Sequence, residues 1–264
     1  MTSDRPVPGV DAEVPHSARV WNYWLGGKDN YASDRRVGDE FRAVFPGIDV
    51  LARASRYFLA RAVRYLAGEA GIRQFLDIGT GLPTADNTHE IAQRVAPDSR
   101  VVYVDNDPLI LLHARALLTS TPQGVTEYLD ADLHDPAGVL RQAAGTLDLR
   151  RPVALTLMQT LGHVADLEEA RAIVRGFLDL LPSGSYLALN DSVTTHRENA
   201  EATRIYNESG ALPYHLRPPE EIASFFEGLE PVPPGVVPIA TWRPDVEDTD
   251  ATRGAAWGGV GRKP

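Results

Sequence analysis

The chain contains no cysteine. Disulfides, thiolate metal sites and a cysteine nucleophile are therefore excluded. No apolar run approaches the roughly 20 residues that a membrane-spanning helix needs, and no N-terminal stretch reads as a signal peptide. Both absences predict a soluble, cytoplasmic protein with no membrane partner. Basic charge is also scarce, with 26 Lys and Arg against 36 Asp and Glu and a formal net charge of −10. Proteins that grip duplex nucleic acid carry a basic face that displaces phosphate counterions. No such cluster is present, so double-stranded nucleic acid is not an expected partner. Internal repeats and low-complexity blocks are missing as well.

What is present suits one large α/β domain with a full core: 264 residues, 43% of them hydrophobic. Residues 1–14, rich in Pro, Asp and Gly, read as a disordered tail. Ser17 is placed to cap a short helix over 18–25, which Gly26-Gly27 stops. Ser33 can cap a second helix to about Val44, and Asp49 can open a long one ending near Gly71. From Gln74 the pattern alternates. Strands are expected over 74–78, 100–104, 126–129, 153–158 and 185–189, with helices over about 86–95 and 167–181 and another beginning near Pro108. Apolar strands separated by helices imply a mainly parallel sheet covered on both faces, with a ligand at the carboxyl ends of the strands. Beyond the core, helices are expected over 197–209 and 219–226. Residues 230–233 and 236–242 read as an antiparallel hairpin turning at Pro234-Gly235. The single domain then spans 15–244, as a helical lid (15–70), a binding core (71–192) and a cap with hairpin (193–244). Residues 245–264, polar and Gly-rich, read as a loose tail.

Chemistry-bearing residues recur at the predicted strand ends. Phe75-Leu76-Asp77-Ile78-Gly79-Thr80-Gly81 is an apolar run ending in an acid and two glycines, the pattern of a buried strand feeding a tight turn beside a nucleotide-like ligand. Asp77 can accept from an ammonium group or orient the loop. Asp105, 24 residues beyond Gly81, ends the second strand and is placed to take two ribose hydroxyls. Asn106 and Asp107 can assist or cap the next helix. Asp132 can accept from an adenine amino group while the Leu133 N–H donates to a ring nitrogen; an ordinary acidic loop is the alternative. Met158 and Gln159 would lie beneath such a ligand, although a Met there also serves as core filler. A dinucleotide fingerprint wants a third glycine where this chain has Thr84, and a carboxylate at Asp77 would repel a pyrophosphate. The motif therefore favours S-adenosylmethionine over NAD.

Several longer motifs carry a more specific resemblance. Pro15-His16-Ser17-Ala18-Arg19-Val20-Trp21-Asn22-Tyr23-Trp24-Leu25-Gly26-Gly27-Lys28-Asp29-Asn30-Tyr31, Ser55-Arg56-Tyr57-Phe58-Leu59, the Asp77–Thr84 segment, Tyr103-Val104-Asp105-Asn106-Asp107-Pro108 and Trp242-Arg243-Pro244 resemble a family of S-adenosyl methyltransferases once known only as a domain of unknown function. The resemblance spans about residues 14–244. It implies a class I methyltransferase fold, a Rossmann-like, mainly parallel seven-stranded sheet with an antiparallel edge strand, here preceded by an N-terminal helical lid. It also implies S-adenosylmethionine as cofactor, and it names no acceptor.

The expected activity is in-line methyl transfer to a small molecule. Tyr23 can meet a sulfonium through its ring, and Lys28 or Arg56 can pair with the methionine carboxylate. His163 is the candidate base, or else a packing residue. Tyr206, Tyr214, His215 and Arg217 are candidates for the acceptor pocket. The Asn-Pro-Pro-Tyr-type motif of nucleic-acid and glutamine amino-methylating enzymes does not follow the fourth strand, where Gln159-Thr160-Leu161-Gly162-His163 stands; Gly162 there is expected to loosen the wall. A non-catalytic sensor of the same cofactor is the alternative, and an NAD-dependent oxidoreductase the second.

Overall fold

A computed structural model describes residues 11–83, 86–107, 109–110, 119–245 and 254–264. Thr84, Pro108 and residues 1–10 of the expected tail lie outside the described residues. The first three helices are α1 (Ser17–Trp24), α2 (Ala32–Val44) and α3 (Ile48–Gly68). The sheet region then runs β1 (Gln74–Ile78), α4 (Thr88–Val95), β2 (Arg100–Asp105), β3 (Val125–Asp130), α5 (Pro136–Ala143), β4 (Ala154–Met158), α6 (Leu167–Leu180) and β5 (Tyr186–Ser192). Helices α7 (Arg197–Asn207) and α8 (Pro219–Ser224) and three strands, β6 (Glu230–Pro231), β7 (Val237–Pro238) and β8 (Ala256–Arg262), complete it.

The strands form one eight-stranded sheet in the order β3-β2-β1-β4-β5-β8-β6, with β7 also on β8. The pairs among β1 to β5 are parallel, and β8 runs antiparallel to β5, β6 and β7. A mostly parallel sheet with an antiparallel margin is the expected class I arrangement. The chain adds strands on both sides of β1, so β1 and β4 flank a topological switch point, where the strand ends leave a crevice.

Alternation along the strands divides the core between two faces. Leu76, Ile78, Leu155, Leu157, Leu187 and Leu189 pack beneath α5 and α6. Phe75, Ala154 and Ala188 face the opposite way, against α3 and its buried row Leu51, Phe58, Ala62 and Leu66. Asp77 has the parity of Phe75 and therefore points to the α3 side, where the site forms.

Three expectations are corrected. Residues 254–264 are not loose: β8 pairs with β5 from Tyr186–Arg262 to Ser192–Ala256. Its glycines serve close approach. A Cβ on Gly258 would stand 2.4 Å from the Leu189 carbonyl oxygen, so a side chain would push the strand off the sheet. Second, residues 230–242 form no hairpin of their own, because β6 and β7 each pair with β8. Third, the helix caps differ. His16 caps α1, its ring nitrogen accepting from the Ala18 N–H at 3.3 Å. Tyr31 precedes α2, with Asp34 accepting from the Tyr31 N–H at 2.8 Å. Residues 11–14 are also held, since Arg19 donates to the carbonyls of Asp11 and Val14 and Ser33 to that of Ala12.

Candidate active site

A cavity of about 360 Å³ opens over the carboxyl ends of β1, β2, β3 and β4 and runs beneath α1 and α7. At its strand end, Gly79 and Gly81 adopt φ of +68° and +66°, the left-handed region that glycine enters without a Cβ penalty. A Cβ on Gly79 would also meet Thr160 at 2.5 Å. The Gly79 N–H donates to the Val104 carbonyl at 2.8 Å, and the Gly81 N–H to Asp105 Oδ2 at 2.9 Å. Asp105 Oδ1 accepts from the N–H groups of Asn106 and Asp107. One carboxylate thus ties the turn after β1 to the turn after β2.

Asp77 is 4% exposed. It accepts from the hydroxyls of Thr88 at 2.6 Å and Thr156 at 2.8 Å. Burial raises its pKa; the two hydroxyls and the Arg56 charge oppose that shift. Arg56 reaches from α3 and donates through Nη2 to the Asp86 carbonyl at 2.9 Å, while its buried Nε has no partner among the described residues. Burial lowers the Arg56 pKa against the pull of Asp77. Asp132, at the exposed rim, accepts from the His134 N–H at 2.9 Å, and that bond holds its carboxyl below the usual range.

The floor is a polar chain. Gln159, in a left-handed conformation (φ +57°), donates to Asn190 Oδ1 at 2.9 Å and accepts from the Ser192 hydroxyl, with the Tyr214 hydroxyl oxygen 2.8 Å from its Oε1. The single Tyr214 hydroxyl proton goes to the shorter contact, Asp191 Oδ1 at 2.6 Å. Asn190 Nδ2 lies 3.0 Å from the Met158 sulfur. His163 stands in a 3-10 turn with Nδ1 2.9 Å from the Pro213 carbonyl. Only a protonated Nδ1 can donate there, which leaves Nε2 with its lone pair. Burial lowers the His163 pKa and favours the neutral ring.

Asp77, Gly79, Thr80, Gly81, Asp105, Asn106, Asp132, Leu133, Met158, Gln159, Arg56, His163, Tyr206 and Tyr214 therefore share one hollow, while Tyr23, Lys28, His215 and Arg217 do not line it. The Tyr23 hydroxyl donates to Asp39 at 2.8 Å, and its ring lies under the Arg42 guanidinium. Lys28 is exposed, as is His215, whose backbone N–H donates to the Gly162 carbonyl. Arg217 is buried beneath the 161–164 turn and donates to the carbonyls of Leu161 and Val164. Nor does Gly162 loosen the wall. Its missing Cβ would fall 2.2 Å from the Tyr214 ring, which fills that space.

Sequence reasoning missed the polar end of β5, Asn190-Asp191-Ser192, because the apolar run stops at Leu189. It also missed the lining of α7, Asn199 and Thr203, which one helical turn separates; with Tyr206 they form a single stripe.

Among the described residues, no helix is long and apolar enough to cross a membrane, and no cluster of metal-ligating side chains occurs. A family described as S-adenosyl methyltransferases matches residues 3–264. A DUF574 family protein from Streptomyces avermitilis is 49% identical, with 96% of this chain and 99% of that one covered and a TM-score of 0.92. A Thermobifida fusca protein, provisionally named a methyltransferase, is 41% identical over 98% of each chain at a TM-score of 0.90. A SAM-dependent methyltransferase from Anabaena variabilis shares the fold, at 13% identity over 98% of this chain and 100% of that one and a TM-score of 0.52. No protein of curated function matches. Motif, sheet order and whole-length similarity agree: this chain belongs to the S-adenosyl methyltransferase family and is a SAM-dependent enzyme.

Proposed function

We propose that the strand end of the cavity holds S-adenosylmethionine and that the α1–α7 end holds a small-molecule methyl acceptor. One observation carries this reading: the carboxylates closing β1, β2 and β3 line the same hollow as the aromatic side chains of α1 and α2. The residues suit the cofactor. The turn at 79–81 brings bare backbone to the cavity. The unpartnered Arg56 Nε is a buried donor suited to a carboxylate, and Asp77 beside it suits an ammonium group. Asp105 and Asn106 are assigned to the ribose, Asp132 and Leu133 to the adenine, and Met158 and Gln159 to the floor.

When bound, the cofactor supplies an electrophilic methyl group on a sulfonium; the protein's share is positioning. Aligned proximity can contribute roughly 7–11 kcal/mol to such a step. Trp21, Trp24 and Phe41 exclude water from the acceptor side. His163, neutral and with Nε2 unprotonated, is the candidate base for an oxygen acceptor. Calorimetry with S-adenosylhomocysteine and with NAD tests the cofactor assignment; binding of NAD alone would overturn it. Labelled S-adenosylmethionine with a small-molecule extract tests catalysis. Transfer of label is expected, and its persistent absence beside intact cofactor binding would favour a sensor.

A further inference from the structure

The cavity has two ends of opposite character. Every carboxylate in its lining, from Asp77, Asp105 and Asp132, lies at the strand end. Helices α1, α2 and α7 contribute no charged side chain to the lining. They supply rings instead: Trp21 and Trp24 at 5.8 Å, Trp24 and Phe41 at 4.8 Å, and Phe41 and Tyr206 at 6.4 Å between centroids.

Within this apolar wall two polar atoms have no partner among the described residues, the Tyr206 hydroxyl and Asn199 Nδ2. Their residues are 6% and 2% exposed, and both line the cavity. A buried donor left unpaired is costly, and native proteins rarely keep one without a use. Neighbouring groups do not relieve them. Thr203 donates to the Asn199 carbonyl, not to its side chain. Asp34, whose charge acts on Tyr206, is taken by the N–H groups of His16 and Tyr31 and by the Arg19 guanidinium. Asn199 Nδ2 can only donate, and a tyrosine hydroxyl can do so.

We infer that this compartment takes an uncharged, ring-bearing molecule whose carbonyl or hydroxyl oxygen accepts from Asn199 and Tyr206. No carboxylate of these helices lines the compartment, which disfavours a cationic amine, and none of their Arg side chains lines it either, which disfavours an anion. The rings stand tilted or edge-on to one another, so they offer both faces and edges to a ring-bearing body. That the molecule is the methyl acceptor rests on the proposed function above; the binding preference does not.

The test is calorimetric titration of the full chain with 2-naphthol, naphthalene-2-carboxylate and 2-naphthylmethylammonium, each with and without saturating S-adenosylhomocysteine. The wild type is expected to bind 2-naphthol at least tenfold more tightly than either ion. Tyr206→Phe and Asn199→Leu should each weaken 2-naphthol about tenfold, keep S-adenosylhomocysteine within twofold and melt no lower than the wild type. Equal affinity for an ion overturns the inference. So does unchanged naphthol binding in both variants, or lower melting of both with naphthol selectivity intact, since that assigns the two polar groups to the fold. Failure of S-adenosylhomocysteine to bind overturns the cofactor assignment alone; the titrations without it still decide this inference.

Discussion

Asp191 offers a quantitative test of the site's electrostatics. It is 2% exposed near the end of β5 and accepts from the Tyr214 hydroxyl at 2.6 Å. Burial pushes its carboxyl from an ordinary 3.8 up to about 7, against the lowering effect of the Tyr214 hydroxyl, Arg217 and the Gly162 and Leu161 amides. The folded chain therefore holds a proton that the unfolded chain has already released. A raised folded value gives stability that is complete below the unfolded pKa and is lost as pH rises through the folded one. Between pH 6 and pH 8 the folded protein should lose about 1.4 kcal/mol on this account. For a chain of this size that is a fall of roughly 3–6 °C in melting temperature.

Asp191→Asn removes the titration and keeps an oxygen for Tyr214. His89 and His163, whose pKa values burial lowers, act in the opposite sense, their contribution being lost as pH falls below about 6.5. Both remain in the variant and cancel in the comparison. Urea unfolding of the two proteins at pH 6, 7 and 8 gives the difference directly. A variant whose stability falls with pH as steeply as the wild type's would refute the reasoning.

Other substitutions test other parts. Gly162→Ala places a Cβ against the Tyr214 ring and should cost about 1–3 kcal/mol by urea unfolding, as overpacking does; wild-type stability would contradict the packing described. Gly258→Val should destabilise by at least a similar ~1–3 kcal/mol and expose the last residues to limited proteolysis, whereas unaltered protease resistance would mean that β8 tolerates a side chain. Asp105→Asn should weaken S-adenosylhomocysteine by roughly 10- to 100-fold in calorimetry, the worth of a charge-assisted hydrogen bond; an unchanged Kd removes Asp105 from the ribose role. For an oxygen acceptor, His163→Gln should lower kcat by roughly 10²–10⁴ at constant cofactor affinity, and a wild-type kcat would leave His163 a packing residue.

The central sheet was readable because β1, β2, β4 and β5 are largely apolar runs closed by helix or turn signals, and burial from both sides demands such runs, while the edge strand β3 (Val-Thr-Glu-Tyr-Leu-Asp) keeps only a partial apolar pattern. The tail was not. Residues 256–262, Ala-Trp-Gly-Gly-Val-Gly-Arg, have the composition of a flexible segment. Their glycines instead answer to crowding, because β8 is squeezed between β5 and the β6–β7 margin, and no local rule reports a neighbour about 70 residues away in the chain. The same blindness shortened β5. Its ladder continues through Asn190, Asp191 and Ser192 because β8 pairs with them. Without β8 in view, three polar residues read as loop.

The site divides along a related line. Asp77, Asp105 and Met158-Gln159 all line the hollow because position at a strand's carboxyl end is a property of the strand itself. Residues judged by chemical type alone fared worse. Trp21 and Trp24 are three residues apart on α1 and share the cavity face, while Tyr23, one position before Trp24, turns about 100° away to meet Arg42. In the 214–217 segment, Tyr214 enters the hollow, His215 faces solvent and Arg217 goes beneath the 161–164 turn. A positive charge is welcome where carbonyls converge, and that turn offers two. Arg217 therefore has a structural use that leaves none of its charge for a ligand, whereas Arg56, with a buried Nε unpaired, keeps a donor in reserve. Unspent hydrogen-bonding capacity inside the hollow, more than residue type, is the ground on which a ligand-binding role is proposed for Arg56 and not for Arg217.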